Sequence, residues 1–149
     1  MDAAAIAQSI RASFPGVADV VAEETHFFYY DPGGDVPSDR RLPFATLVSS
    51  DAYDTFSQLD RPGVFRLNIG ISPETFRALF PAEPDEDEAG HDFTALDRIM
   101  PHPVYGRMFW VAVLNPGETT FQEVVPLLAE AHDRAVTRLG RLRPVAEDG

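Results

Sequence analysis

Apolar positions along the chain change period several times, and each change marks an element. Ala3, Ile6, Ile10 and Phe14 recur at spacings of three and four, and Pro15-Gly16 follows directly, so a short amphipathic helix is expected over 3–14. VADVVAEE and THFFYYD, rich in β-branched and aromatic residues, read as two strands, the second closed by the turn DPGGD. After a long connection, PFATLVS at 43–49 reads as a third strand. DAYDTFSQLD suggests a helical turn, with Tyr53, Phe56 and Leu59 three apart. The clearest strand is GVFRLNIGI at 63–71, where Phe65, Leu67, Ile69 and Ile71 alternate with Val64, Arg66, Asn68 and Gly70. One face is core and the other polar. It leads into the helix ISPETFRALF, with Ser72 as N-cap, Pro73 at the first helical position, Glu74 complementing the dipole, and Phe76 and Phe80 on one face.

The second half continues the pattern. PAEPDEDEAGHD, 81–92, is an acidic, proline-punctuated loop expected to be mobile. Asp92 can cap a short helix FTALDRIM, which Pro101 and Pro103 forbid from continuing. RMFWVAVLN, 107–115, is apolar on both faces and suits a well-covered or central strand. A long helix is expected from about 120 to 139, opened by the capping box Thr120 to Glu123, bent or delayed by Pro126 and closed by Gly140. Its buried stripe is Phe121, Val124, Leu128, Ala131, Ala135 and Leu139, and the tail 141–149 should fray. The order of elements lacks regular βαβ alternation. It therefore predicts a single domain over 1–149, an α+β two-layer sandwich built on an antiparallel sheet.

Composition narrows the function classes. A chain of 149 residues buries about 70% of the surface its unfolded form exposes, enough for one core without staples. The absence of cysteine excludes disulfides, thiolate metal sites and a thiol nucleophile, and fits a reducing compartment. No targeting segment or apolar run of membrane-spanning length is read, so a cytoplasmic protein without membrane contact is expected. The net charge is −12, and all twelve basic residues are arginine. Such a surface repels phosphate backbones and argues against nucleic acid as a partner.

The stretch MPHPVYGRMFW concentrates the candidate chemistry. His102 has the side chain suited to general acid–base work near neutrality, or, held between two prolines, to capping a turn. Tyr105 and Arg107 stand close enough in sequence to complete an anion-recognising pocket with it, and Trp110, the single tryptophan, follows at the strand. Arg66 and Asn68 share the polar face of their strand, as a ligand clamp or as partners of one of the twenty-four acids. His132 falls at the edge of the last helix's apolar stripe and reads as a core-edge residue, and His26 and His91 have no partners at metal-ligand spacing. The run Asp85 to Glu88 fails the calcium-loop pattern, because Ala89 and Leu96 occupy ligand positions. There is no HExxH, no GxGxxG and no GxSxG, so no metal and no cofactor are expected.

The segments YYDP…DVPSDRRLPFATLV, LDRPGVFRLNIGISPETF and LDRIMPHPVYGRMFWVAVLNPGE resemble the blocks of an uncharacterised bacterial family catalogued as a domain of unknown function, over roughly 5–140. More distantly the layout resembles the MmcQ/YjbR-like proteins: a helix ending in Phe-Pro-Gly-Val, hairpin strands, a strand leading to Ser-Pro-Glu-Thr-Phe, a tryptophan strand and a closing helix. That resemblance implies a secretion-chaperone-like two-layer fold, and Arg107 as counterpart of the basic residue before the tryptophan strand. Proteins of that family have been proposed to bind DNA, which a charge of −12 opposes here. The expectation is a module binding a small molecule or a protein. The alternatives are a small enzyme using His102 with Tyr105 or Arg107, and nucleic-acid binding by family analogy.

Overall fold

The structure, a computed structural model, describes residues 1–37, 41–81 and 91–142. Helix α1 (Ala3–Ser13) opens on Asp2, whose carboxylate accepts from the Ala5 N–H at 2.8 Å, and ends at Phe14. Strands β1 (Val17–Ala22) and β2 (Thr25–Tyr30) form a hairpin, followed by β3 (Ala45–Val48) and β4 (Arg66–Gly70). Helix α2 (Pro73–Leu79) is capped by Ser72 as the sequence predicts. A two-residue strand β5 (Met100–Pro101), a 3-10 turn over Gly106–Met108, β6 (Trp110–Leu114) and helix α3 (Glu118–Leu142) complete the chain.

The six strands form one antiparallel sheet in the order β1-β2-β3-β4-β6-β5. The expected α+β class with an antiparallel sheet is therefore what the chain adopts. Period-two alternation sends Phe28, Leu47, Leu67, Ile69, Val111 and Val113 to one face, where α1 brings Ile6 and Ile10 and α3 brings Phe121, Val124, Leu128, Ala131 and Ala135. The other face carries Thr46, Val48, Arg66, Asn68, Ala112 and Leu114. There Leu59 and Met100 join Val48 and Leu114 in a smaller cluster, so loops rather than helices supply its cover. Among the described residues no helix is long and apolar enough to cross a membrane.

Several local expectations are corrected. The helical turn over DAYDTFSQLD is absent: Asp51, Asp54 and Asp60 accept from the N–H groups of Leu59, Phe56 and Asp51, and these side-chain bonds compete with helix. FTALDRIM is not helical either. Asp92 accepts from Thr94, Asp97 adopts φ 61°, and the Asp97 N–H bonds the Leu114 carbonyl, so the segment lies along β6 and ends as β5. The strand expected over 107–115 is shorter, because 106–108 form the 3-10 turn and Phe109 takes φ 68° before β6 begins. The last helix starts two residues before Thr120, so Thr120 is not its N-cap, and it runs past Gly140 to Leu142. Pro126 does not interrupt it; Pro126 and Gln122, whose carbonyl the ring leaves without its helical donor, are both on the exposed side of the helix. Of the stretches expected to be mobile or frayed, 82–90 and 143–149 lie outside the described residues.

Candidate functional site

Arg66, Asn68 and His102 meet on the loop-covered face of the sheet. Arg66 and Asn68 stand two apart on β4 and so point the same way, and His102 follows directly on β5, its N–H bonded to the Trp110 carbonyl at 2.9 Å. Arg66 is 1% exposed. Its Nε donates to Asn68 Oδ1 at 2.9 Å, Nη1 to Asp54 Oδ1 at 3.1 Å and to Ser57 Oγ at 3.0 Å, and Nη2 to Asp54 Oδ2 at 2.8 Å. Asn68 in turn donates from Nδ2 to Thr46 Oγ1 at 3.0 Å. A guanidinium has five N–H groups; four are thus bonded, and the fifth faces His102 Nε2 across 3.5 Å.

His102 is buried, with three donors and no acceptor directed at its ring. Nδ1 accepts from the N–H groups of Val104 and Tyr105 at 3.0 and 2.9 Å, closing the turn that the flanking prolines stiffen. A neutral imidazole has one lone pair to give, and the two bonds at Nδ1 use it, which places the ring proton on Nε2. Burial, and then the neighbouring Arg66 charge, push the His102 pKa down to about 3, against a smaller opposing pull from Asp54. At Asp54 burial acts upward, but the bonds and charge of Arg66 outweigh it and the carboxyl is held below its ordinary value. The cluster is therefore a carboxylate–guanidinium pair beside an uncharged imidazole.

The other three candidates lie apart from this network. Tyr105 is half exposed, its ring centroid 5.0 Å from that of His102. Arg107 is exposed on the 3-10 turn. Trp110 is the cross-strand partner of Gly70, and its indole lies over that glycine, where an added Cβ would come within 2.9 Å of Cε2. His132 donates from Nε2 to the Pro15 carbonyl at 2.8 Å and packs among Phe14, Tyr30 and Phe44. His26 bonds Asp19, which also pairs with Arg11. Among the described residues no three acidic or histidine side chains gather as a metal site.

Asp54 and Ser57, which bond Arg66, and Thr46, which bonds Asn68, are members of the network that the sequence did not single out. An arginine in mid-strand calls for a carboxylate, but twenty-four acids competed for the role, and Asp54 lies in a segment whose apolar spacing suggested a helix.

An antiparallel six-stranded sheet, two helices on one face and a buried Arg–Asp–His cluster on the other define an α+β two-layer protein. The chain belongs to the family described as being of unknown function, DUF6194, whose model matches residues 1–144. No curated protein matches it. A solved structure, Deinococcus radiodurans protein DR2400, with the family-model domain DUF419, is similar to it with a TM-score of 0.50 at 16% identity, over 89% of this chain and 77% of that one. That likeness supports the YjbR/MmcQ-like fold, and the fold alone.

Proposed function

We propose that this chain is a ligand-binding module rather than an enzyme. The observation that carries the reading is at His102: donors face both ring nitrogens, and its lone pair is committed to two backbone N–H groups. A group with a pKa of about 3 is a weak base at neutral pH, and a general base must offer its lone pair to the substrate's proton. Arg66 is spent in the same way, since its donors are bonded within the fold and the side chain is 1% exposed. The cluster thus acts as an internal brace that fastens the loop carrying Asp54 and Ser57 to β4.

Recognition then falls to the rest of the surface. A cleft of about 620 Å³, within the usual size of ligand sites, runs between the start of α1 and the 59–65 segment, with Leu59, Asp60, Val64, Phe65 and Asn115 among its walls. The test is a thermal-shift screen of the full chain against a metabolite panel, with mass spectrometry of each mixture. A concentration-dependent rise in Tm with the ligand recovered unchanged is expected. Turnover of a ligand that disappears in His102→Asn would overturn the reading.

A further inference from the structure

At one end of the sheet β2 finishes at Tyr30, β4 finishes at Gly70 and β6 begins at Trp110, and α3 crosses that end with Arg134 and Arg138. Arg138 lines two small adjoining cavities. One, about 20 Å³, it shares with Arg41, Tyr29 and Tyr30; the other, about 60 Å³, it shares with Arg134, Gly70 and Trp110. Arg134 and Arg138, one turn apart on α3, thus stand together beside Trp110 in a chain of net charge −12.

Neither has a carboxylate within ion-pair distance among the described residues, where the pairs are Arg11–Asp19, His26–Asp19 and Arg66–Asp54. Glu130, one turn before Arg134, feels its charge, yet that carboxylate accepts its hydrogen bonds from the Ser72 N–H and from the hydroxyls of Ser72 and Thr75. Asp133 also borders the open side of Arg134 and Arg138, and it is exposed. Like charges one turn apart destabilise a helix. The helix dipole favours a cation near the C-terminal end and so accounts for Arg138, but not for Arg134 further in.

We propose that Arg134 and Arg138 form a binding site for a small phosphate-bearing organic molecule, with its oxyanion at the guanidinium groups and its organic part against Trp110. The inference rests on the binding-module reading and adds to the cleft at the start of α1 a second site with a ligand class of its own. Guanidinium forks match phosphate oxygens two at a time. The cavities have room for an oxyanion and little more, so the remainder of the ligand lies on the surface, where Trp110 is flanked by Pro43 and by Met108, 66% exposed. The charge of −12 over the whole chain selects a small anion over a polyanionic strand.

Trp110 is the single tryptophan, so its fluorescence reports on the site directly. The experiment titrates the full chain at constant ionic strength with pyrophosphate, ADP, adenosine and a DNA oligonucleotide, exciting where adenine does not absorb. Saturable changes with ADP and pyrophosphate, and none with adenosine, are expected. Arg138→Gln and Arg134→Gln should each weaken ADP at least tenfold at unchanged Tm, whereas Arg98→Gln, which removes an equal charge from the exposed loop after 91, should not. Equal weakening by Arg98→Gln, absence of saturable binding by both phosphates, or binding of the oligonucleotide alone would each overturn the site. A metabolite from the thermal-shift screen that binds while neither phosphate does would overturn the site and leave the binding-module reading standing.

Discussion

The Arg66 guanidinium and the Asp54 carboxylate form a two-point pair, at 3.1 and 2.8 Å, across a junction that joins an irregular loop to the middle of the sheet. Their side chains are 1% and 9% exposed, so the pair is shielded from water. Removing one partner from such a pair strands a buried charge, whereas replacing both with apolar groups removes the desolvation cost along with the attraction. Asp54→Ala is therefore expected to lose about 3–5 kcal/mol of stability in chemical denaturation, and Asp54→Leu combined with Arg66→Met to lose much less. A double variant as unstable as the sum of its parts would show that the two side chains act independently.

His102 makes the fold sensitive to acid. Its pKa is lowered from 6.5 to about 3 in the fold, so between those values the unfolded chain takes up a proton that the folded chain refuses. Stability from this group is fully present above pH 6.5 and is lost progressively as pH falls toward 3. The slope is about 1.4 kcal/mol per pH unit in that window. Asn at position 102 can accept from the same two N–H groups through its side-chain oxygen but does not titrate. Denaturation of the parent chain and His102→Asn at pH 6 and pH 4.5 should show the parent losing about 2 kcal/mol more than the variant, on that slope. Parallel stability curves would mean that His102 is protonated in the fold.

How far the sequence could be read depended on whether an element's signal was local. The alternation of 63–71 and the Ser72-Pro73-Glu74 start of α2 are local; the strand forms within that stretch, shortened to Arg66–Gly70, and α2 starts where the sequence placed it. FTALDRIM shows the opposite case. Its apolar spacing is helical, but the partner that decides its conformation is the edge of β6, and a strand of two residues leaves no period to detect. The site divides along the same line. Arg66 and Asn68 could be placed side by side because one strand carries both, whereas Asp54, twelve residues earlier, reaches them only through the tertiary path of its loop. The arginine pair was hidden for the same reason, since Arg138 and Trp110 come to one cavity only where α3 crosses the end of the sheet.

The β1–β2 hairpin turns through Glu23 and Glu24, with φ 52° and 61°. Positive φ at both central residues is the geometry that Asn-Gly adopts most readily, and side chains with a Cβ are strained there. The two carboxylates also repel each other. Replacing Glu23-Glu24 by Asn-Gly is expected to stabilise the fold by about 1 kcal/mol, read as a higher denaturation midpoint with unchanged m-value. A lower midpoint would mean that one of the glutamates makes a stabilising contact that outweighs the strain.

Gly70 is required by its neighbour across the sheet rather than by its backbone. A Cβ built there would stand 2.9 Å from Trp110 Cε2 and 3.0 Å from Cζ2, inside van der Waals contact, because the indole covers the glycine of the opposing strand. Gly70→Ala should therefore push the ring outward, shift its fluorescence maximum to longer wavelength and cost about 1–3 kcal/mol, the usual penalty of overpacking. Combining it with Trp110→Leu, a smaller side chain, should recover much of that loss. The same displacement should weaken ADP at the proposed site, since the surface offered to the ligand's organic part moves, while pyrophosphate, which needs only the arginines, should bind as before. An unchanged emission maximum in Gly70→Ala would show that the indole does not rest on position 70, and the arrangement of Trp110 beside Arg134 and Arg138 would fall with it.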